Sequence, residues 1–260
     1  MEEDILICQD SLESIFTAVY CAYEWKCKPE RTRIQIGEEE NLRLFARYRN
    51  VKADEVRSEK VINTLRMRFG EDFYYTVCLA LSGSDRDKAD VVYHTIAIGL
   101  ELVRPETVME HLAEPCVHRV FGLSRGAGRE YDHLRGFLRF TELESGALYA
   151  RIKPKNHLLH FLAEHFADRF PGDVFLIHDV GRGIFAVHEP GKQWFMVQNP
   201  EWDHQIEESG EEKYYQELFR HFCHKIAIKE RENRKLQNRM LPLRFQEFMT
   251  EFPQNGKDKY

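Results

Sequence analysis

Apolar residues recur at helical spacing through most of the first hundred positions and alternate with polar ones through the middle of the chain. Leu12, Ile15, Phe16, Val19 and Tyr23 share one face of a helix, which Asp10 or Ser11 caps, with Glu13 three residues after Asp10. Ile5, Leu6 and Ile7 before it form a short strand, and residues 33–36 allow a second, so the start carries one or two strands. Asp54 opens another helix, which Gly70 stops after Arg66 and Arg68, cations suited to a helix C-terminus. Residues 71–81 follow as a short apolar helix. Asp85 or Asp87 starts the next, through Val92, Ile96 and Leu100, and Pro105 breaks it. A short helix covers 106–111. Pro115 fits the first turn of a longer one reaching about Leu134, with Val117, Val120, Ala127, Tyr131 and Leu134 on its apolar face.

The pattern then changes period. Gly136, Phe137, Arg139 and Phe140 read as the start of a strand, residues 142–146 as a turn, and 147–153 as the returning strand. Pro154 ends that strand, because it has no N–H for a ladder. Asn156 reads as the N-cap of a helix running to about Phe170. Strand-like runs follow at 174–180, 184–188 and 193–198, joined by turns at 181–183 and 190–192. A helix starting near Glu211 carries an apolar stripe of Tyr215, Leu218, Phe219, Phe222 and Ile226, and Pro242 breaks the segment after it. The fold class is therefore α+β. A mostly helical part spans 1–105. A helix and an antiparallel core sheet of about five strands span 106–200, with a packed helix. An acidic linker, a helix and a basic C-terminal arm span 201–260. All three are compatible with one compact domain.

Composition changes this picture little. A 260-residue chain with 43% hydrophobic and 31% charged residues buries a real core, and no apolar run is long enough to span a bilayer. The acidic start, Met1-Glu2-Glu3-Asp4, lacks the basic region of a signal peptide. Six scattered cysteines without a C-x-x-C pair read as buried thiols of a reducing cytoplasm. Charge is more informative. The net charge is −6, yet residues 201–217 hold seven acidic residues against one lysine, and residues 225–244 hold seven basic against two acidic. So sharp a switch marks a local electrostatic footprint at the C-terminal end.

Candidate chemistry follows from that footprint. Arg139, Lys153 and Lys155 lie on or beside the predicted hairpin, Arg169 ends a helix, and Arg182 sits in a sheet turn. The tail adds Arg231, Arg239 and Arg244, with Asn233 and Gln237 as amide readers. Facing one side, these groups would track a phosphate backbone, with Phe137, Phe140 and Tyr149 as stacking faces. The plainer reading places the arginines at helix ends for the macrodipole and makes the tail a solvated face. For catalysis the candidates are Glu130, His157, His165 and Asp179. Glu130 alternatively pairs with Arg135 or Arg139, and Asp179 with Arg182. No three ligands stand at metal spacing, the glycines at 122, 126 and 128 fail the phosphate-loop pattern, and no cofactor or metal is implied.

Several of these residues also form a larger pattern. Arg129-Glu130, Gly136-Phe137-Leu138-Arg139-Phe140, Pro154, His165-Phe166, Arg169-Phe170 and Ile177-x-Asp179-x-x-Arg182 stand in the middle. Tyr215-x-x-Leu218-Phe219, Ile226, Arg231-x-Asn233-x-x-Leu236-Gln237, Met240 and Pro242-x-Arg244 stand in the tail. Together they resemble a bacterial domain family of unknown function described as probable DNA metabolism or DNA repair proteins, over nearly the whole chain. The resemblance implies a radical-SAM DNA modification or repair protein as partner. It also implies kinship with domains fused to uracil-DNA-glycosylase-like proteins, whose glycosylase motifs are absent here. The leading expectation is a cytoplasmic DNA-binding accessory of a repair or base-modification system. An enzyme acting on a damaged base or the DNA backbone, and a protein-binding scaffold docking through residues 201–217, are the alternatives.

Overall fold

The computed structural model describes residues 3–37, 43–198, 209–226 and 233–252. The chain divides into two compact units, residues 1–128 and 129–260.

The first unit holds a three-stranded sheet in the order β2-β1-β3, formed by β1 (Glu3–Cys8), β2 (Thr32–Ile36) and β3 (Ala46–Asn50). Both pairings are parallel. Its helices are α1 (Leu12–Glu24), α2 (Glu55–Phe69), α3 (Glu71–Leu81) and α4 (Lys88–Glu101), and α5 (Pro115–Phe137) begins here and ends in the second unit. Ser11 caps α1, its hydroxyl accepting from the Ser14 N–H, and Asp54 caps α2 by accepting from Arg57 N–H. Gly70 adopts a φ of +90° between α2 and α3, a conformation that L side chains rarely take. Phe16, Ile34, Leu65, Phe69, Val92 and Tyr93 are among the residues of one continuous core. At Gly99 the α4 backbone lies against the Phe69 ring so closely that an added Cβ would come within 2.2 Å of it.

The second unit holds a five-stranded sheet in sequential order: β4 (Thr141–Glu142), β5 (Leu148–Ile152), β6 (Phe175–Asp179), β7 (Ile184–His188) and β8 (Phe195–Gln198). Three pairings are antiparallel and β5–β6 is parallel, so the sheet is mixed. The parallel pairing follows from α6 (Leu159–Arg169), which carries the chain back between those strands as a crossover. Phe140 packs edge-on against Phe166, Phe170 and Phe175, joining α6 to the sheet. The chain closes with α7 (Gly210–Ile226), α8 (Arg234–Met240) and α9 (Leu243–Gln246).

The α+β class expected from the sequence is the one found. Three details differ. The start has three strands, because β3, with the sequence ARYRN, lacks the apolar alternation that marks the others. Residues 136 and 137 belong to the last turn of α5, which shortens the hairpin's first strand to Thr141–Glu142. Asn156 does not cap α6: the helix starts at Leu159 with Leu158 in the cap position and no side-chain capping bond. Asn156 is instead held by a carboxylate from α5.

Among the described residues, no helix is long and apolar enough to cross a membrane.

Candidate anion-binding face

The connection from β5 to α6 displays Lys153 and Lys155, and its backbone is gripped from two sides. Glu130, on α5, is only 2% exposed. One of its oxygens, Oε1, accepts from Lys155 N at 3.0 Å, and the other, Oε2, accepts from Asn156 N at 3.0 Å and from Asn156 Nδ2 at 2.6 Å. A buried carboxylate in an apolar surrounding needs a cation, and Arg244 supplies it, with Nη1 at 3.1 Å from Oε1. The Arg244 guanidinium lies over the Phe245 ring, and that ring packs against His133 and Phe137 of α5.

On the other side, Arg182 takes the loop's carbonyls. Its Nη1 donates to Pro154 O at 3.2 Å and its Nη2 to Lys155 O at 2.8 Å. The same guanidinium donates to Asp179 Oδ2 at 2.8 Å. Asp179, fully buried, accepts from Gly181 N at 3.1 Å and Arg182 N at 3.3 Å through Oδ1. The tight turn between β6 and β7 is closed by Gly183, whose φ of +65° suits glycine, donating to Asp179 O. The loop's N–H groups thus meet a carboxylate and its C=O groups meet a guanidinium. Lys153 and Lys155 are left exposed, and among the described residues no ion pair or hydrogen bond engages either ammonium.

Next to this loop is a narrow cleft of about 20 Å³. Its lining includes the cationic side chains of Arg139, Arg151, Lys153 and Arg244 beside Phe137, Phe245 and Phe248. Arg139 is the most engaged of the four: Nη2 and Nε reach Glu251 Oε1 at 2.7 and 3.1 Å, and Nη1 donates to the carbonyls of Gly136 and Leu138 at the end of α5. Arg151 lies 5.1 Å from the centre of the Phe248 ring. The cleft is too small for a nucleobase. What it offers is a rim of positive charge on a surface.

The structure therefore brings Arg139, Lys153 and Arg244 to one cleft, and Lys155 and Arg182 to the loop beside it. Arg151, an exposed residue of β5, belongs with them although the pattern of the sequence did not single it out as a ligand for phosphate. Arg169 stands apart at the end of α6, over Phe170. It shares its surroundings with His165, whose pKa is lowered by burial first, and then by the charges of Arg135 and Arg169. Asn233 caps α8, accepting from Leu236 N at 3.0 Å. Gln237 and Arg239 are exposed on that helix, and Arg231 lies outside the described residues. Of the rings considered for stacking, Phe137 lines the cleft, whereas Phe140 sits in the aromatic cluster and Tyr149 is buried with its hydroxyl 2.9 Å from His178 Nδ1.

Of the four residues considered for catalysis, Glu130 and Asp179 are tied into the two grips just described. His157 begins the approach to α6 and His165 lies within that helix; both are half-buried. Among the described residues, no three His, Cys, Asp or Glu side chains come together as a metal site. Cys8, Cys21 and Cys78 are buried and free, and burial pushes the Cys8 thiol up to about 12.

No curated protein sequence matches the chain. A family profile does, over residues 86–251, which include α4 through α9, the five-stranded sheet and both grips on the 153–156 loop. With more than half of its length so matched, the chain belongs to the family described as a domain of unknown function, DUF4130.

Proposed function

We propose that the chain is a DNA-binding accessory of a repair or base-modification system, using the face around Lys153 and Lys155 to hold phosphates. The observation that carries this reading is the pair of grips on one loop. A buried carboxylate, and a half-buried arginine anchored on a buried aspartate, fix its backbone, while its two ammonium groups stand in solvent without partners among the described residues. Fixing the loop in advance removes ordering entropy that binding would otherwise cost. Arg151 extends the positive strip along β5. A net charge of −6 gives no attraction to DNA overall, so binding has to come from such a local strip. The radical-SAM partner enters this proposal from the family resemblance of the sequence alone.

Fluorescence anisotropy with labelled single-stranded and duplex oligonucleotides tests the reading. Binding at micromolar protein in low salt, weakening steeply as salt rises, is the expected result. Absence of binding to either form at low salt would remove it. Co-purification of the chain with a radical-SAM protein, surviving nuclease treatment and high salt, tests the partner separately.

A further inference from the structure

The helix α7 carries an apolar stripe that no other part of the described chain covers. Tyr214, Tyr215, Leu218, Phe219 and Phe222 are 63, 59, 50, 41 and 55% exposed. Stripes at this spacing normally face a core. Here the helix is fastened to the unit at its first turn. Ser209 N donates to Glu142 O, and Glu142 N donates to Glu212 Oε2, so the start of α7 is tied to the edge strand β4. Ser209 also caps the helix by accepting from Glu212 N at 3.0 Å. Beyond that turn, the described side chains of α7 remain exposed or half-buried.

The stripe's composition is that of an interface centre, with two Tyr and two Phe around a Leu. At the stated exposures, and with roughly 150–250 Å² for each aromatic side chain, it leaves on the order of 500 Å² of mainly apolar surface open to water. That is toward the upper end of the roughly 300–600 Å² of the largest apolar patch on a typical monomer, a patch that is often functional. Without Phe219, which lies about 100° round the helix from Leu218, two such patches together reach roughly 800–900 Å², the size of a weak or transient interface.

Charge indicates what covers it. At 100° per residue, the face centred on Leu218 reads Glu211, Tyr214, Tyr215, Leu218, His221, Phe222 and Lys225. Glu211 and Lys225 lie one heptad before and after Leu218, so both project along the stripe, one acidic end and one basic end. A two-fold axis through Leu218, relating antiparallel copies of α7, brings each Glu211 level with the Lys225 of the other copy. It also brings each Tyr214 level with the other Phe222. A parallel arrangement would set like charges together and align the helix dipoles unfavourably.

We infer that α7 is a self-association helix and that the chain pairs with a second copy of itself through antiparallel α7 stripes centred on Leu218. The interface is isologous and closed, so it yields dimers and not fibres. Its size places it among weak, concentration-dependent dimers.

The test is sedimentation equilibrium of the full chain across a concentration series up to about 100 μM, a range that captures micromolar association. The mass should rise from 30.9 kDa toward twice that value. Leu218→Glu sets two carboxylates on the two-fold axis and should hold the chain at the monomer mass, with an unchanged far-ultraviolet circular dichroism spectrum. Glu211→Lys alone and Lys225→Glu alone should each weaken the dimer at least tenfold, and the double variant should restore it, because the swap reverses every cross-pair at once. A chain that stays monomeric throughout overturns the inference and leaves the stripe to a different protein. A dimer indifferent to Leu218→Glu overturns it as well. A dimer that Leu218→Glu dissociates but that the double swap does not restore overturns the antiparallel register.

Discussion

Replacing Glu130 by Gln removes the charge from the centre of the site while keeping its shape. Four donors point at the two oxygens: Lys155 N and Arg244 Nη1 at one, Asn156 N and Nδ2 at the other. Whichever way the new amide turns, its NH₂ faces two donors, and two bonds are lost. Hydrogen bonds to a charged group contribute about 1.5–3 kcal/mol each, which gives roughly 3–6 kcal/mol. In a unit of this size, such a loss lowers the unfolding midpoint by roughly 10–20 °C. Thermal unfolding followed by circular dichroism, with Glu130→Gln beside the parent chain, measures it. A loss under about 1 kcal/mol would mean that the carboxylate does not hold the loop, since water would then have to satisfy the four donors as well as the carboxylate does.

Two further predictions concern the fold. Gly99→Ala puts a Cβ 2.2 Å from the Phe69 ring, which is itself stacked on Phe73 at 4.7 Å, so the core has to shift; a loss of about 1–3 kcal/mol in chemical denaturation is expected. A cost near zero would show that the Phe69 ring swings aside freely. His165 has a lowered pKa in the folded chain, with burial the main cause, Arg135 and Arg169 adding to it and Asp168 opposing. The unfolded chain therefore binds the proton first: the contribution of His165 is complete above its ordinary value near 6.5 and is lost as pH falls below that toward the folded pKa. The unfolding midpoint should fall on acidification through that window, and His165→Gln should flatten the dependence; an unchanged slope in the variant would contradict this.

The parts of the fold that were legible in the sequence are those with a strict period. The strands β6, β7 and β8 and the helices α1 to α4 follow from apolar spacing and capping residues, with boundaries close to those observed. The strand β3 was not legible, because its place in the sheet is set by pairing with β1 and not by its own five largely polar residues. The α5 boundary was misplaced for a related reason: Gly136 and Phe137 resemble a strand start, yet Phe137 packs on Phe245 from the far end of the chain and stays in the last turn of the helix. Of the candidate site, the pairing of Asp179 with Arg182 was readable because the two are three residues apart. The pairing of Glu130 with Arg244 was not, since nothing local connects positions so far apart and Arg135 and Arg139 stand much nearer in the chain. Arg135 instead pairs with Asp132, and Arg139 with Glu251. For α7 the spacing is legible: a stripe in sequence shows that a face needs covering, and only the fold shows that the described residues leave it open.

In the proposed reading, a loop held from both sides presents two lysines to phosphate. Salt-dependent anisotropy on the parent chain and on the Lys153→Ala/Lys155→Ala double variant isolates that contact. Both lysines are exposed and bonded to nothing described, so the variant should fold as the parent does. The variant should bind DNA more weakly, and the slope of log affinity against log salt should become shallower by about 1.4–1.8, the change for two phosphate contacts. A variant with the parent's affinity and slope would contradict it.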